Sequence, residues 1–256
     1  MKKLLALLLT LAMVASFAAC ANIGATEPAT NGTTEATAEA TTEATAGEEV
    51  AVMSYEEYMA AAKGDIVAIE AYVQGNQSWW EKDGKGVITV YTQDADGAYF
   101  LYEMACSEED AAKLVPGTKI RVTGEKGEWD GEIEIMNGTF EFVEGAEPFV
   151  AEPLDVTALM GTEELQDKMN QLVTVKGMTF KSLSYKNDEW DKDIYVTLTL
   201  GETDYTFCVE NYLTGPDTDL YKAVEALAEG DKIDVTGFLY WYQGPNTHIT
   251  AIEKAA

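Results

Sequence analysis

Five tryptophans and two tyrosines hold most of the recognition chemistry available to this chain. Trp79 and Trp80 are adjacent, Trp129, Trp190 and Trp241 stand apart, and Tyr240 and Tyr242 flank Trp241. Exposed, such rings stack on a sugar, a base or a peptide aromatic; buried, they close the end of a core. The sequence leaves both roles open. Asp94 and Asp96 ahead of Gly97, and Asp188, Asp191 and Asp193 farther on, are oxygen donors of the kind calcium takes. Calcium wants about six to eight oxygens, and neither stretch completes an EF-hand loop. Turn formation and solvated charge are therefore the first reading of these aspartates, and calcium the second.

Signs of catalysis are sparse. His248 is the sole histidine, and no nucleophile motif accompanies it. GxSxG, HExxH and phosphate-cradling glycine loops are absent. Paired carboxylates occur, but in so acidic a chain they are expected by chance. Cys106 and Cys208 lie in apolar, strand-like surroundings without CxxC or Cys/His spacing, which reads as two buried thiols rather than a zinc site or a disulfide framework. The expectation is a non-enzyme without a cofactor.

These side chains must be held by strands and loops, and one phrase organises them. Residues 117–124 read GTKIRVTG and residues 230–237 read GDKIDVTG. Each is an alternating strand between glycines that follows a helix-like run. Around the first copy, a capping-box start at Ser54 opens a short helix, and strands are expected over 66–73, 87–91 and 98–104. A polar loop carrying Trp79 and Trp80 joins the first two. A helix from Ser107 to before Pro116, the signature strand and a partner over 132–142 complete the copy. The second copy repeats the order: a strand from 172, strands over 194–200 and 205–210, a helix over 219–228, the signature strand, a run from Phe238 to Tyr242 that continues it with alternating faces, and a closing strand over 248–252.

Three strands, a helix, then two strands is the order of the OB-fold. The fold class expected is mainly β: two tandem OB-fold-like, five-stranded Greek-key barrels, each with a helix between strands three and four. The domains are residues 51–146 and 172–256, joined by a connector over 147–171 that holds a short helix near Thr162. The OB ligand face lies across strands two and three, flanked by the loops between strands one and two and between strands four and five. All five tryptophans fall in those two loops.

The stretches SYEEYMAAAKG, QSWW, YTQDADGAYFLYEM, KLVPGTKIRVTG, VENYL and GDKIDVTGFLYWYQGPNTHIT span most of residues 53–252. In them the chain resembles the tandem OB-fold-like lipoproteins of bacteria of the gut-clostridial type. The resemblance implies an anchored extracytoplasmic protein with no assigned catalytic activity. A nucleic-acid label on some members rests on fold alone, which does not establish function.

The N-terminus fits that resemblance. Lys2 and Lys3 precede an apolar run from Leu4 to Phe17, and Phe17-Ala-Ala-Cys20 resembles the lipobox of bacterial lipoproteins, with Phe17 where leucine is usual. The implied product loses residues 1–19 as a signal peptide and carries an acylated Cys20 that holds the protein on the extracytoplasmic face of the cell membrane. Residues 20–50 are Thr-, Ala- and Glu-rich and cannot bury enough apolar surface to offset ordering, so they read as a disordered tether.

Charge narrows the partners. The 256 residues carry 17 basic and 45 acidic side chains, a formal net charge of -28. Nucleic-acid affinity comes largely from Lys and Arg neutralising phosphates, so nucleic acid is an unlikely partner. The expected role is a binding or interaction module for a glycan, a peptide or an envelope partner. The alternatives are an OB-fold nucleic-acid binder and a structural spacer of the cell envelope.

Overall fold

The computed structural model describes residues 50–255. The expected signal peptide, Cys20 and the expected tether up to residue 49 lie outside the described residues. Among those described, no helix is long and apolar enough to cross a membrane.

The first barrel follows a short helix, α1 (Tyr55–Ala60). The helix starts where expected because Ser54 and Glu57 close a capping box: Glu57 N donates to Ser54 Oγ at 3.2 Å, and Ser54 N donates to Glu57 Oε2 at 2.8 Å. Its buried Tyr58 closes one end of the core. The strands are β1 (Ile66–Asn76), β2 (Trp80–Lys82), β3 (Lys85–Gln93), β4 (Ala98–Ala105), β5 (Lys119–Trp129) and β6 (Glu132–Phe142), with the one-turn helix α2 (Glu108–Ala111) between β4 and β5. β1 pairs antiparallel with β3 and β5, β3 with β4, and β5 with β6. β4 and β6 then pair in parallel and close the ring.

The second barrel repeats this. A two-residue strand, β7 (Leu154–Asp155), lies beside β8 (Leu172–Tyr185). β9 (Ile194–Leu200), β10 (Thr203–Val209), β11 (Lys232–Phe238) and β12 (His248–Lys254) follow, with α3 (Asn211–Thr214) and α4 (Asp219–Glu225) between β10 and β11. β8 pairs antiparallel with β9 and β11, β9 with β10, and β11 with β12. A single parallel pair, Cys208 with His248, joins β10 to β12. In both halves the third and fifth barrel strands run parallel while the other pairs among the five barrel strands are antiparallel, which is the closure of an OB barrel; the added β7 runs parallel to β8.

The repeated phrase is the fourth strand of each barrel, and the two copies lie in separate sheets. Its isoleucine and valine point inward in both: Ile120 and Val122 in one core, Ile233 and Val235 in the other. Its leading glycine is needed for its backbone, since Gly117 and Gly230 sit at φ +91° and +93°, where a side chain is strained.

Three expectations change. The loop holding Trp80 contains a strand, because Trp80–Lys82 pairs with β3 through a turn at Asp83 and Gly84. The helix after Ser107 is one turn long, and an unforeseen turn of helix, α3, precedes α4. The run after Phe238 leaves the sheet: β11 ends at Phe238, and Trp241 makes only an isolated bridge to Pro245. Cys106 and Cys208 are buried free thiols.

Candidate ligand cleft and the interface that walls it

Strand alternation decides which side chains stand on the outer face of each barrel. On β3 and β4 the inward residues are Ile88, Val90, Tyr99, Leu101 and Met104. Tyr91 and Phe100 therefore point outward, yet they are 1% and 3% exposed. The second barrel covers them. Tyr91 stacks on Phe238 with centroids 4.4 Å apart and planes 13° apart, and Phe100 meets Tyr240 edge-on at 5.2 Å. Leu172 and Leu213 pack on the same cluster. Tyr91 Oη lies 2.6 Å from His248 Nδ1, a hydrogen bond whose direction depends on the histidine tautomer. Ser78 N donates to Tyr212 O, Leu172 N to Gln93 Oε1, Trp241 N to Glu132 Oε2 and Gln243 N to Asp130 O, at 2.7–2.9 Å. Half of the first barrel's ligand face is thus a docking surface within the chain.

The second barrel keeps the corresponding face open. A cleft of about 820 Å³ lies on the outer side of β9 and β10, over Tyr195, Thr206 and Cys208. Lys186 and Asp193, from the loop between the first two barrel strands, form one flank. The segment from Tyr240 to Asn246, between the last two, forms the other, and Phe100, Tyr102 and Gln77 of the first barrel line the end nearest to it. This is the place where an OB barrel takes its ligand.

The polar lining is held in place. Asp193 receives Lys186 Nζ at 2.7 Å and Asn211 N at 3.0 Å. Glu210 caps α3 by accepting from Leu213 N at 2.8 Å. Burial, then the neighbouring Asp193, pushes the Glu210 carboxyl up to about 7. Asp204 pairs with Lys181 and accepts from Thr199 Oγ1 at 2.6 Å. Asn246 Oδ1 has no hydrogen-bond partner among the described residues. His248 is buried and stacked on Tyr240 at 4.4 Å; burial lowers its pKa to about 4, so it is neutral at ordinary pH. The lining offers aromatic faces, amides and carboxylates, and its one lysine, Lys186, is engaged by Asp193.

The tryptophans singled out from the sequence do not converge on this cleft; none lines it. Trp79 is structural: Nε1 donates to Cys106 O at 2.9 Å, and the ring packs on the first core. Trp241 packs partly against the second core. Trp80, Trp129 and Trp190 are exposed by 43%, 59% and 66%. Tyr240 and Tyr242 do line the cleft, the first half-buried and the second exposed, both from a loop rather than from strand faces. Of the aspartates, Asp94 closes a turn, its Oδ1 accepting from Asp96 N and Gly97 N at 2.8 Å. Asp191 faces Lys192 at 3.8 Å, and Asp188 sits in a 3-10 turn at φ +60°. Among the described residues no group of three or more His, Cys, Asp or Glu is arranged to hold a metal ion. Tyr195, Tyr102, Gln77, Glu210 and Asn246 were not anticipated. Alternation alone marks Tyr195 and Tyr102 as outward, one step from inward Ile194, Val196 and Leu101.

Fold and cleft together define a two-barrel OB protein with one open ligand face. No family model and no curated protein sequence matches the chain. Among solved structures it is similar to an Ifi202 HINa domain in complex with 20 bp dsDNA, at 13% identity, covering 75% of this chain and 100% of that one, TM-score 0.35. It is also similar to a murine DNA-binding protein bound with dsDNA, at 12% identity over 74% and 96% of the two chains, TM-score 0.36. A replication protein A heterotrimer bound to ssDNA matches at 12% identity over 73% and 49%, TM-score 0.30. Likenesses this distant assign no ligand; the fold rests on the strand pairing above.

Proposed function

We propose that this protein is a non-catalytic binding module, tethered to the outside of the cell membrane through an acylated Cys20, whose second barrel takes a neutral oligosaccharide. The observation that carries the reading is the cleft over β9 and β10, flanked by both OB ligand loops. That face takes oligonucleotides or oligosaccharides in OB proteins. A polyanion must bring its phosphates to positive charge. Here Asp193, Asp204 and Glu210 outnumber Lys186, which Asp193 already holds. A neutral sugar instead stacks its C–H faces on rings such as Tyr242 and Tyr195 and bonds its hydroxyls to amides and carboxylates such as Gln243, Asn246 and Asp204.

Calorimetric titration of the folded region with neutral oligosaccharides, and with a thymidine 20-mer at 150 mM salt, separates the two ligands. Saccharide binding that falls about tenfold or more in Tyr242→Ala, with no DNA binding, supports the proposal. Salt-dependent DNA binding with no saccharide binding replaces it with the nucleic-acid reading. The tether has its own test: Cys20→Ser should move the protein from the membrane fraction to the medium, and an unacylated mature protein would remove the anchor.

A further inference from the structure

The cleft does not end at Tyr102. A second hollow of about 340 Å³ lies beyond it, lined by Gln77, Trp80, Thr89, Tyr102, Glu103 and Tyr212. Gln77 and Tyr102 line both spaces. Two barrels build the second one. Trp80 stands on β2, Thr89 on β3, and Tyr102 and Glu103 on β4, whereas Tyr212 comes from α3 of the second barrel. The part of the first barrel's outer face left uncovered by the interface thus becomes the far wall of this hollow.

Its three rings are exposed: Trp80 by 43%, Tyr102 by 38% and Tyr212 by 57%. Large aromatic faces left in water around a concave space are costly unless something covers them. Their positions are set by the fold. Trp80 is held by β2 pairing with β3, where it sits opposite Val87. Tyr212 is tied to the first barrel where Ser78 N donates to its carbonyl at 2.8 Å. Glu103 is paired with Lys82, so the hollow adds no free cation to attract a phosphate.

We infer that the ligand is a linear chain longer than a disaccharide, running from the cleft past Tyr102 into a second subsite between Trp80 and Tyr212. This rests on the saccharide reading of the cleft. A short oligomer is held by the cleft alone; a longer chain that passes Tyr102 places further residues on the second set of rings, and each added sugar–ring contact contributes to affinity without a new site of attachment. Tyr102 is the shared platform between the two subsites.

The test is a length series. The folded protein is titrated with β-1,4-linked glucose, β-1,4-linked xylose and α-1,4-linked glucose oligomers of two to six units. The expected result is an affinity that rises about tenfold or more between the dimer and the hexamer of the bound series. In Trp80→Ala and in Tyr212→Ala the hexamer should fall back to the dimer's affinity. Trp190→Ala, an exposed tryptophan outside both spaces, should retain the full rise. An affinity that is flat with length, or a rise that survives both substitutions, overturns the second subsite and leaves the cleft reading standing. No binding of any oligomer in the three series overturns both.

Discussion

At the middle of the outer sheet face, the first barrel pairs Tyr91 with Phe100 across β3 and β4, and the second pairs Thr197 with Thr206 across β9 and β10. The ladders beneath are alike, with inward Ile88, Val90 and Leu101 in one and Val196, Leu198 and Phe207 in the other. Two large rings on one face and two short hydroxyls on the other send equivalent surfaces to different uses. The rings take Phe238 and Tyr240 as cover and fasten the barrels together; the second face has no such cover, and Thr206, with Tyr195 and Cys208, floors a cleft. The fold presents two equivalent sheet faces, and the chain uses one of them to build a wall for the other.

The largest effect should come from giving the first barrel the second barrel's residue. Tyr91→Thr removes a fully buried ring, its stack on Phe238 and the partner of a buried histidine. Losing a large core aromatic costs about 3–5 kcal/mol, and the melt should split as the barrels uncouple. Thr197→Ala, at the matching position of the open face, should change stability by less than about 0.5 kcal/mol. Urea melts of the two variants make the comparison; equal effects would mean that the faces do not differ as described.

A smaller effect should appear at the hairpin between β5 and β6. A Cβ at Gly131 would lie 2.8 Å from the Trp241 ring, and Gly131 sits at φ +98°. Gly84, in the hairpin between β2 and β3, sits at φ +75° with nothing within 4 Å of an added Cβ. Gly84→Ala therefore carries only the backbone penalty, about 1 kcal/mol, and Gly131→Ala that penalty plus a clash across the interface. The expected excess for Gly131→Ala is about 1–2 kcal/mol in the same melts. No excess would mean that Trp241 yields freely and that the contact is loose.

The barrels were legible in the sequence because strand alternation, the glycines around each signature and the capping box at Ser54 are local signals that agree with the tertiary fold. The cleft was half legible. Tyr240 and Tyr242 stand out as the neighbours of Trp241 on an expected strand, and they do line the cleft, though from a loop; the tryptophans stand out by size, and size does not separate Trp79, which donates to Cys106 O inside the barrel end, from Trp190, which is in water. The interface was not legible. Tyr91 reads as an ordinary outward strand residue, and what covers it, Phe238 and His248, lies some 150 positions away; no periodicity links them. The run after Phe238 departs from the expected strand for the same reason: Trp241 N leaves the ladder to donate to Glu132 of the other barrel.

The smallest effect is a slope with pH. Glu132, at the interface, is buried, and burial pushes its carboxyl up to about 8 although Asn170 and the Trp241 N–H favour the charged form. Glu210, in the cleft, reaches about 7 through burial and Asp193, and Glu134 reaches about 7 through burial and Glu103. Each holds its proton more tightly folded than unfolded. Their stabilisation is complete below about 4.5 and is lost as pH rises through about 7 to 8. His248, lowered to about 4, works the other way between about 4 and 6.5, where the unfolded chain binds its proton first. The clean window is therefore pH 6.5 to 8.5, where stability should fall as pH rises. Glu132→Gln keeps an acceptor for Trp241 N and cannot ionise, so its advantage over the parent should grow by about 1–2 kcal/mol between pH 6 and pH 8.5. Glu210→Gln should gain less, since its carboxyl starts nearer the ordinary range. Thermal melts across that window would show the closed face, not the open one, as the main source of the slope; a larger gain at Glu210 would reverse that assignment.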